Sequence, residues 1–175
     1  MNQAKYCHHY PCIYIMLSIE EEIKQSKFKS DYQKAILNVL VTANTLYASN
    51  NRFLKCYGLS LEQYNVLRIL RGQFPKPCTV LTIQERMMDK MSNASRLVDK
   101  LESKKLLVRK QCAQDRRQVE ITITESGLQL LKDIDEPFQV LEKKLECITA
   151  DELGRFNTIL DQIRHVYRDQ PPTDQ

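Results

Sequence analysis

The sequence predicts a mainly α-helical protein that carries one small β-hairpin. The chain of 175 residues contains only 4 Gly and 6 Pro, and therefore has few tight turns. Apolar residues recur at helical spacing over most of its length. After Leu106 the spacing changes to strict alternation, which is typical of a half-exposed strand. Together these observations favour long helices around a small two-stranded sheet.

The composition excludes several classes of protein. A hydrophobic content of 42% and a charged content of 27% are typical of a soluble globular chain. No apolar run approaches the roughly 20 residues that cross a bilayer, and no signal peptide is evident, so we expect a cytoplasmic protein without membrane contact. The 6 cysteines include no CxxC pair, which favours reduced thiols over a disulfide framework.

The two ends of the chain differ from the rest. Residues 1–15 lack helical periodicity, so we expect a disordered or extraneous extension, with Met16 as a candidate natural start. Residues 169–175 form a polar tail that we also expect to be disordered. The early cluster of Cys7, His8, His9 and Cys12 lacks the spacing of a closed zinc site. The sequence therefore predicts no metal site and no cofactor.

The first half of the chain predicts two helices. From Asp31 to about Tyr57 the apolar positions follow the stripe of a long amphipathic helix, and Gly58 is a candidate C-cap. Ser60 followed by Gln63 predicts the cap of the second helix. The expected buried face of that helix consists of Tyr64, Leu67, Ile69 and Leu70.

A pair of short helices follows. Thr82 and Glu85 have the spacing of a capping box, so we expect a helix that starts there and ends between Met88 and Lys90. The segment from Ser92 to Ser95 offers a second cap after a turn of about four residues. The expected inward positions of the next helix are Leu97, Val98 and Leu101. Two short helices joined in this way predict a helix-turn-helix.

The strand pattern comes next. Val119, Ile121 and Ile123 are the expected inward positions of one strand, and residues 107–110 are its natural antiparallel partner. The residues from Gln111 to Gln118 form a polar, basic loop between them. A helix-turn-helix followed by a basic-tipped hairpin predicts a winged helix from about Thr82 to Thr124.

Two further helices complete the predicted fold. Thr124 opens the first of them with Gly127 three residues later, and Pro137 is a candidate kink. Its apolar stripe is Leu128, Leu130, Leu131 and Ile134, continued by Phe138, Leu141, Leu145 and Ile148. Thr149 and Glu152 form another capping box, which begins a last helix that extends past Val166.

Positive charge is concentrated in the predicted winged helix. Between Lys76 and Gln118 there are 11 Lys and Arg against 5 Asp and Glu, a local net charge of +6, whereas the whole chain has +4. Charge alone is compatible with either nucleic-acid binding or a plain solvated face. The side chains at the start of the second short helix favour DNA, because this end of such a helix enters the major groove. The candidate DNA-contacting residues there are Ser92, Asn93, Ser95, Arg96 and Lys100.

Each candidate has a structural alternative. One of Ser92 and Asn93 is expected to serve only as an N-cap, whereas Arg96 has no alternative beyond surface solvation. In the hairpin loop, Arg116 and Arg117 suit the negative potential of the minor groove. Asp115 would repel phosphates, so we interpret it as a residue that fixes the loop shape. An ordinary solvated turn is the alternative for the loop.

The run from Leu81 to Gly127 resembles the MarR family of bacterial transcriptional regulators. The most specific part of the match is QDRRQVEITITESG, in which a D-R-R loop precedes an alternating strand and T-x-x-G. The resemblance covers roughly residues 31–168. It implies that residues 92–104 form the recognition helix, and that Asp115 and Arg117 are the acid and the minor-groove arginine of the wing. Lys105 departs from the family, which commonly has glycine there, and leaves the geometry of that cap open.

The resemblance also implies an assembly and a mode of control. It implies a homodimer on a pseudo-palindromic site of double-stranded DNA, with dimerisation segments at residues 16–58 and 125–168 around a DNA-binding region at 59–124. It further implies a repressor that a small, often aromatic, effector releases. Tyr47, Phe53 and Tyr57 are candidate pocket residues, although aromatic residues at this spacing are more often part of a core.

Three other functions remain as alternatives. A thiol-based redox sensor is one, with Cys56 and Cys112 as candidates. The family's oxidation sensors carry their reactive cysteine near the start of the first long helix, and this sequence has none between Leu17 and Lys55. A winged helix that binds protein is the second. An enzyme is the third, and no nucleotide-binding, zinc-protease or nucleophile-elbow motif is present.

Overall fold

The computed structural model describes residues 17–111 and 119–168. Within these ranges the chain forms helices joined by one antiparallel hairpin, which confirms the predicted fold class. The elements are α1 (Ile19–Glu22), α2 (Asp31–Lys55), α3 (Leu61–Gln73), α4 (Val80–Arg86), α5 (Ala94–Ser103), β1 (Leu107–Gln111), β2 (Val119–Ile123), α6 (Glu125–Glu142), a 3₁₀ helix (Lys143–Cys147) and α7 (Ala150–Arg168). The chain divides into two compact units between Cys56 and Tyr57.

The first unit contains α1 and the long helix α2. Ser30 caps α2, because its hydroxyl accepts the N–H of Gln33. An ion pair of 2.6 Å between Lys34 and Glu20 joins the two helices and holds the pKa of the Glu20 carboxyl below its ordinary value. The apolar stripe of α2 is largely exposed, at Tyr32, Ile36, Leu40, Leu46 and Tyr47. An amphipathic helix with an exposed apolar stripe has a face that this unit does not cover.

The second unit is built around α3. The predicted capping box is present, since the Ser60 hydroxyl accepts the N–H of Gln63 and the Gln63 side chain accepts the N–H of Ser60. The helix packs against α5, α6 and β2. Tyr64, Leu67 and Leu70 are buried as predicted, whereas Ile69 is only half-buried and Val66 takes its place in the core. The other fully buried side chains of this unit are Ile83, Val98, Leu101, Leu107, Ile121, Leu131 and Ile134.

Helix α4 begins earlier than the sequence predicts. Thr79 and not Thr82 is the N-cap, because the Thr79 hydroxyl accepts the N–H of Thr82 at 3.1 Å. The predicted capping box at Thr82 and Glu85 was therefore wrong. The helix also ends sooner, at Arg86, where Met87 turns to extended backbone. Seven residues, 87–93, separate α4 from α5, instead of the predicted four.

The predicted antiparallel hairpin is present, with β1 paired to β2. Leu107 lies opposite Ile123 and Gln111 lies opposite Val119. Ile121 and Ile123 are buried, but Val119 is exposed, because it lies at the end of the strand beyond the core. Cys78 exchanges two backbone hydrogen bonds with Ile121, at 2.9 and 2.8 Å, so a third extended segment borders β2. Burial raises the pKa of the Cys78 thiol.

Helix α5 ends in a Schellman motif without glycine. The N–H of Lys105 donates to the carbonyl of Glu102 at 2.8 Å, and the N–H of Leu106 donates to that of Leu101 at 3.1 Å. Lys105 has φ of 59°, the left-handed conformation that costs a side chain about 1–2 kcal/mol. The lysine therefore adopts the geometry that glycine adopts at no steric cost.

We expect Lys105→Gly to stabilise the protein by about 0.5–1 kcal/mol. Glycine adopts the left-handed backbone without strain, and this gain exceeds the cost of the greater conformational entropy that glycine gives the unfolded chain. Urea unfolding followed by circular dichroism measures the change. Lys105→Ala is the matched control, because it removes the same charge but keeps Cβ. Equal stability of the two variants would contradict a role for the left-handed backbone.

The remaining helices begin where the sequence predicts. The Thr124 hydroxyl accepts the N–H of Gly127 at the start of α6, and Thr149 and Glu152 form the capping box of α7. Pro137 lies inside α6, and the helix ends at Glu142, so the predicted continuous stripe to Ile148 is interrupted by the 3₁₀ helix. Among the described helices, none combines the length and apolar character that a membrane span requires.

Candidate nucleic-acid interface

The N-terminal turn of α5 carries the predicted base-contacting side chains. Asn93 is the N-cap, because its Oδ1 accepts the N–H of Arg96 at 3.0 Å. Ser92 is half-buried, and its hydroxyl donates to Asp89 at 2.7 Å. Ser95, Arg96 and Lys100 are exposed. Of the five candidates, these last three are therefore the side chains that the local structure leaves most accessible to a ligand.

Gln84, which the sequence analysis did not select, fixes the approach to this turn. Its Oε1 accepts the N–H of Ala94 at 3.2 Å, and its Nε2 donates to the carbonyls of Lys90 and, at 2.9 Å, Ser92. The N–H of Ala94 is one of the groups that the first turn of a helix leaves without an intrahelical partner. One side chain of α4 thus caps α5 and holds the seven-residue turn. In the sequence, nothing marks Gln84 for this role except that it is a polar residue next to Ile83, which is buried in the structure.

Arg109 joins strand β1 to helix α5. It lies on β1, where its guanidinium pairs with Asp99 and, at 3.5 Å, with Glu102, both on α5. The same guanidinium approaches the Ser95 carbonyl at 3.4 Å. The charge count assigned this arginine to the basic surface, but its single positive charge faces two acids on the helix and offsets one of their two negative charges.

Lys104 makes corresponding hydrogen bonds at the other end of α5. Its ammonium donates to the carbonyl of Gly58 and, at 3.3 Å, to Oε1 of Gln63, the capping residue of α3. Gly58 has φ of +69°, so its left-handed backbone presents the carbonyl without strain. Gln84, Arg109 and Lys104 therefore position α5 from α4, from β1 and from the start of α3.

The wing residues Asp115, Arg116 and Arg117 lie outside the described residues, as does Cys112. Their predicted roles stay predictions. The strands on both sides of the loop are described, and their last pair, Gln111 with Val119, fixes the place where the loop begins and ends.

The predicted effector residues fall on two separate units. Tyr47 and Phe53 lie on α2, whereas Tyr57 lies just after the division of the chain.

Within the second unit, α3 and α6 enclose a cleft of about 320 Å³. Tyr64 and Phe138 stack there with ring centroids 5.4 Å apart, and Arg71 pairs with Asp135 at 2.7 Å. The Tyr64 hydroxyl, 3.2 Å from Arg68, holds the pKa of that guanidinium above its ordinary value. The cleft therefore offers stacking, cationic and acidic groups to a small ligand.

Comparison with known proteins assigns this arrangement to a family. A profile of the MarR family matches residues 59–119, from the start of α3 to the start of β2. The HTH-type transcriptional regulator MhqR of Bacillus subtilis is 33% identical over 108 residues, which cover 57% of this chain and 73% of MhqR. The chain belongs to the MarR family. As a MarR-family protein it is a DNA-binding transcriptional regulator, and its relatives are bacterial.

Solved MarR structures share the fold. A MarR transcription factor from Planctomyces limnophilus is 34% identical, with a TM-score of 0.60 over 78% of this chain and 99% of that one. MepR of S. aureus, solved with DNA, is 20% identical with a TM-score of 0.68 over 79% and 99% of the two chains. BpsR of Bordetella bronchiseptica, whose DNA binding is regulated by 6-hydroxynicotinic acid, is 19% identical with a TM-score of 0.55 over 72% and 98%. For MepR and BpsR, the similarity shows a shared fold only.

Proposed function

We propose that this MarR-family chain is a homodimeric, effector-responsive repressor that reads a pseudo-palindromic operator through α5 and the wing. The observation that carries the proposal is the exposed face of α5, where Ser95, Arg96 and Lys100 lie on a helix held at both ends. Its role is regulatory and not catalytic. The DNA-binding region then comprises residues 59–124.

The chemistry of this face suits base recognition. A guanidinium at the start of a helix in the major groove can donate two hydrogen bonds to guanine, and a hydroxyl can donate or accept. The N-terminus of the helix adds a positive partial charge that favours phosphates. Arg109 offsets one of the two negative charges of Asp99 and Glu102, so that α5 together with this arginine keeps a net positive charge.

Helix α7 supports the dimer. It has 19 residues and none of them is buried, although Leu153, Phe156, Ile159, Ile163 and Val166 recur at the spacing of an apolar stripe. Such a stripe is normally covered by another surface. In the first unit, the exposed stripe of α2 has the same property. A second copy that covers these stripes would place two α5 helices on the two halves of one site.

The cleft between α3 and α6 supports effector control. It lies beside the cap of α3, whose Gln63 contacts Lys104 at the end of α5. Regulation of the fold-neighbour BpsR by 6-hydroxynicotinic acid makes a small aromatic effector a reasonable class for this chain as well. We therefore place the effector in this cleft in preference to Tyr47, Phe53 and Tyr57.

Binding to the DNA fragment beside its own gene tests the proposal. We expect Arg96→Ala to weaken binding about 10- to 100-fold, because one bidentate base contact is worth about 1–3 kcal/mol, and to relax preference at one base pair. Fluorescence anisotropy with the wild-type and substituted duplexes measures both effects. Arg155→Ala, which removes an exposed arginine from α7, is the control and should leave the preference unchanged. A winged helix that binds protein instead would show weak DNA binding that neither substitution alters.

A further inference from the structure

The turn between α4 and α5 exposes two methionines on an ordered backbone. Met88 is 79% exposed and Met91 is 93% exposed, whereas the adjacent Met87 is buried. The N–H of Met88 donates to Asn65 of α3 at 3.0 Å, and the N–H of Met91 donates to Asp89 at 2.9 Å. The exposed side chains are therefore not a consequence of a loose turn, and they add little to the stability of the fold.

Met91 lies close to the base-contacting end of α5. It precedes the N-cap Asn93 by two residues, which places the two Cα atoms at most about 7.6 Å apart. Base pairs are stacked about 3.4 Å apart, so this separation corresponds to about two base pairs. With α5 in the major groove, residue 91 would lie within about two base pairs of the bases that face the start of the helix.

The surroundings of Met91 favour DNA over an apolar protein surface. Lys90, the preceding residue, and Arg86, at the end of α4, are both exposed, and they suit the phosphates that border a groove. Asp89 is the acid of the turn, but its carboxylate accepts the Ser92 hydroxyl and the Met91 N–H, which together keep its pKa below the ordinary value. An exposed apolar side chain next to a cation matches the thymine methyl group, the apolar feature of the major groove.

We propose that Met91 contacts the C5 methyl group of a thymine in the major groove and so adds a specificity residue outside α5. The proposal rests on the proposed function, since it requires α5 to enter the groove. The flexible, polarizable thioether side chain of methionine suits such a contact, which needs shape and no fixed hydrogen bond.

Thymine and deoxyuracil differ only by this methyl group, and they provide the test. Duplexes selected from a random library by the full-length protein are resynthesised with deoxyuracil at each thymine in turn. We expect one thymine in each half-site where the replacement weakens wild-type binding about 3- to 10-fold, the effect of losing one buried methyl. Met91→Ala should bind both duplexes equally at that position. Met88→Ala, which changes the other exposed methionine of the turn, five residues before the N-cap, should discriminate as the wild type does.

Three results would each overturn the assignment while DNA binding stands. One is wild-type protein that binds every deoxyuracil duplex as tightly as the thymine duplex. A second is Met91→Ala that still discriminates. The third is Met88→Ala that loses discrimination to the same extent as Met91→Ala, which would show that the turn as a whole is responsible. If the wild-type protein selects no duplex at all, the proposed function fails and this assignment fails with it.

Discussion

Gly127→Ala is expected to destabilise the protein by about 2–4 kcal/mol, a large part of the 5–15 kcal/mol that holds a typical domain together. Gly127 is buried at the start of α6, where an added Cβ would overlap the carbonyl oxygen of Leu106 and lie 2.7 Å from Cγ1 of Ile123. That carbonyl cannot move freely, because it accepts the N–H of Thr124 at 3.1 Å. The added methyl group must therefore separate α6 from the end of α5 and from β2.

Thermal and urea unfolding measure this effect. A loss of about 3 kcal/mol lowers the Tm by roughly 6–12 °C for a chain of this size. Gly72→Ala is the matched control, since an added Cβ on that exposed glycine of α3 meets no atom within 4 Å. This control should stabilise the helix by up to about 1 kcal/mol. If both substitutions had the same small effect, the close approach at Gly127 would be refuted.

Phe156→Asp combined with Ile159→Asp is expected to convert the proposed dimer to monomer and to reduce DNA affinity by about 100-fold or more. The two side chains are 48% and 52% exposed on α7, in the stripe that the proposed second copy would cover. A carboxylate buried there without a partner is costly. Loss of the dimer also removes the high effective concentration that links the two half-sites.

Analytical ultracentrifugation and fluorescence anisotropy on one duplex measure the two effects together. Thr158→Asp is the control, because helical spacing places residue 158 on the opposite face of α7, where an added charge remains solvated. It should leave the dimer intact. A doubly substituted protein that sediments as a dimer would contradict the role proposed for α7.

The sequence predicted those elements whose signal is local. The caps at Ser60, Thr124 and Thr149 need only a side chain and a backbone N–H within three residues, and all three are present. The cap of α4 was predicted wrongly because Thr79 and Thr82 are both competent caps, and the local spacing favoured the one with an acid three residues later. Tertiary packing selected the earlier threonine and brought Ile83 into the core.

The residues that position α5 do so through contacts between distant parts of the sequence, which no local pattern shows. Gln84 reaches residues up to ten positions away, and Lys104 reaches Gly58 across 46 positions. In the charge count Lys104 and Arg109 were equivalent to Arg96 and Lys100, although the first two are bound within the protein. The motif that resembles the MarR family identified the winged helix correctly. The structure adds which of its described cations are free of contacts within the protein that would compete with DNA.

The distinction between available and bound cations gives the most direct test of DNA recognition by α5. Lys100 and Lys104 are both exposed, but the ammonium of Lys104 is hydrogen-bonded to the Gly58 carbonyl and to Gln63. The measurement is the slope of log Kd against log salt for the wild type, Lys100→Met and Lys104→Met on one duplex. We expect Lys100→Met to lower the slope by about one per half-site, because one phosphate contact no longer releases a counterion, and Lys104→Met to leave the slope unchanged. Equal slopes for all three proteins, or a wild-type affinity that does not depend on salt, would contradict DNA recognition by α5.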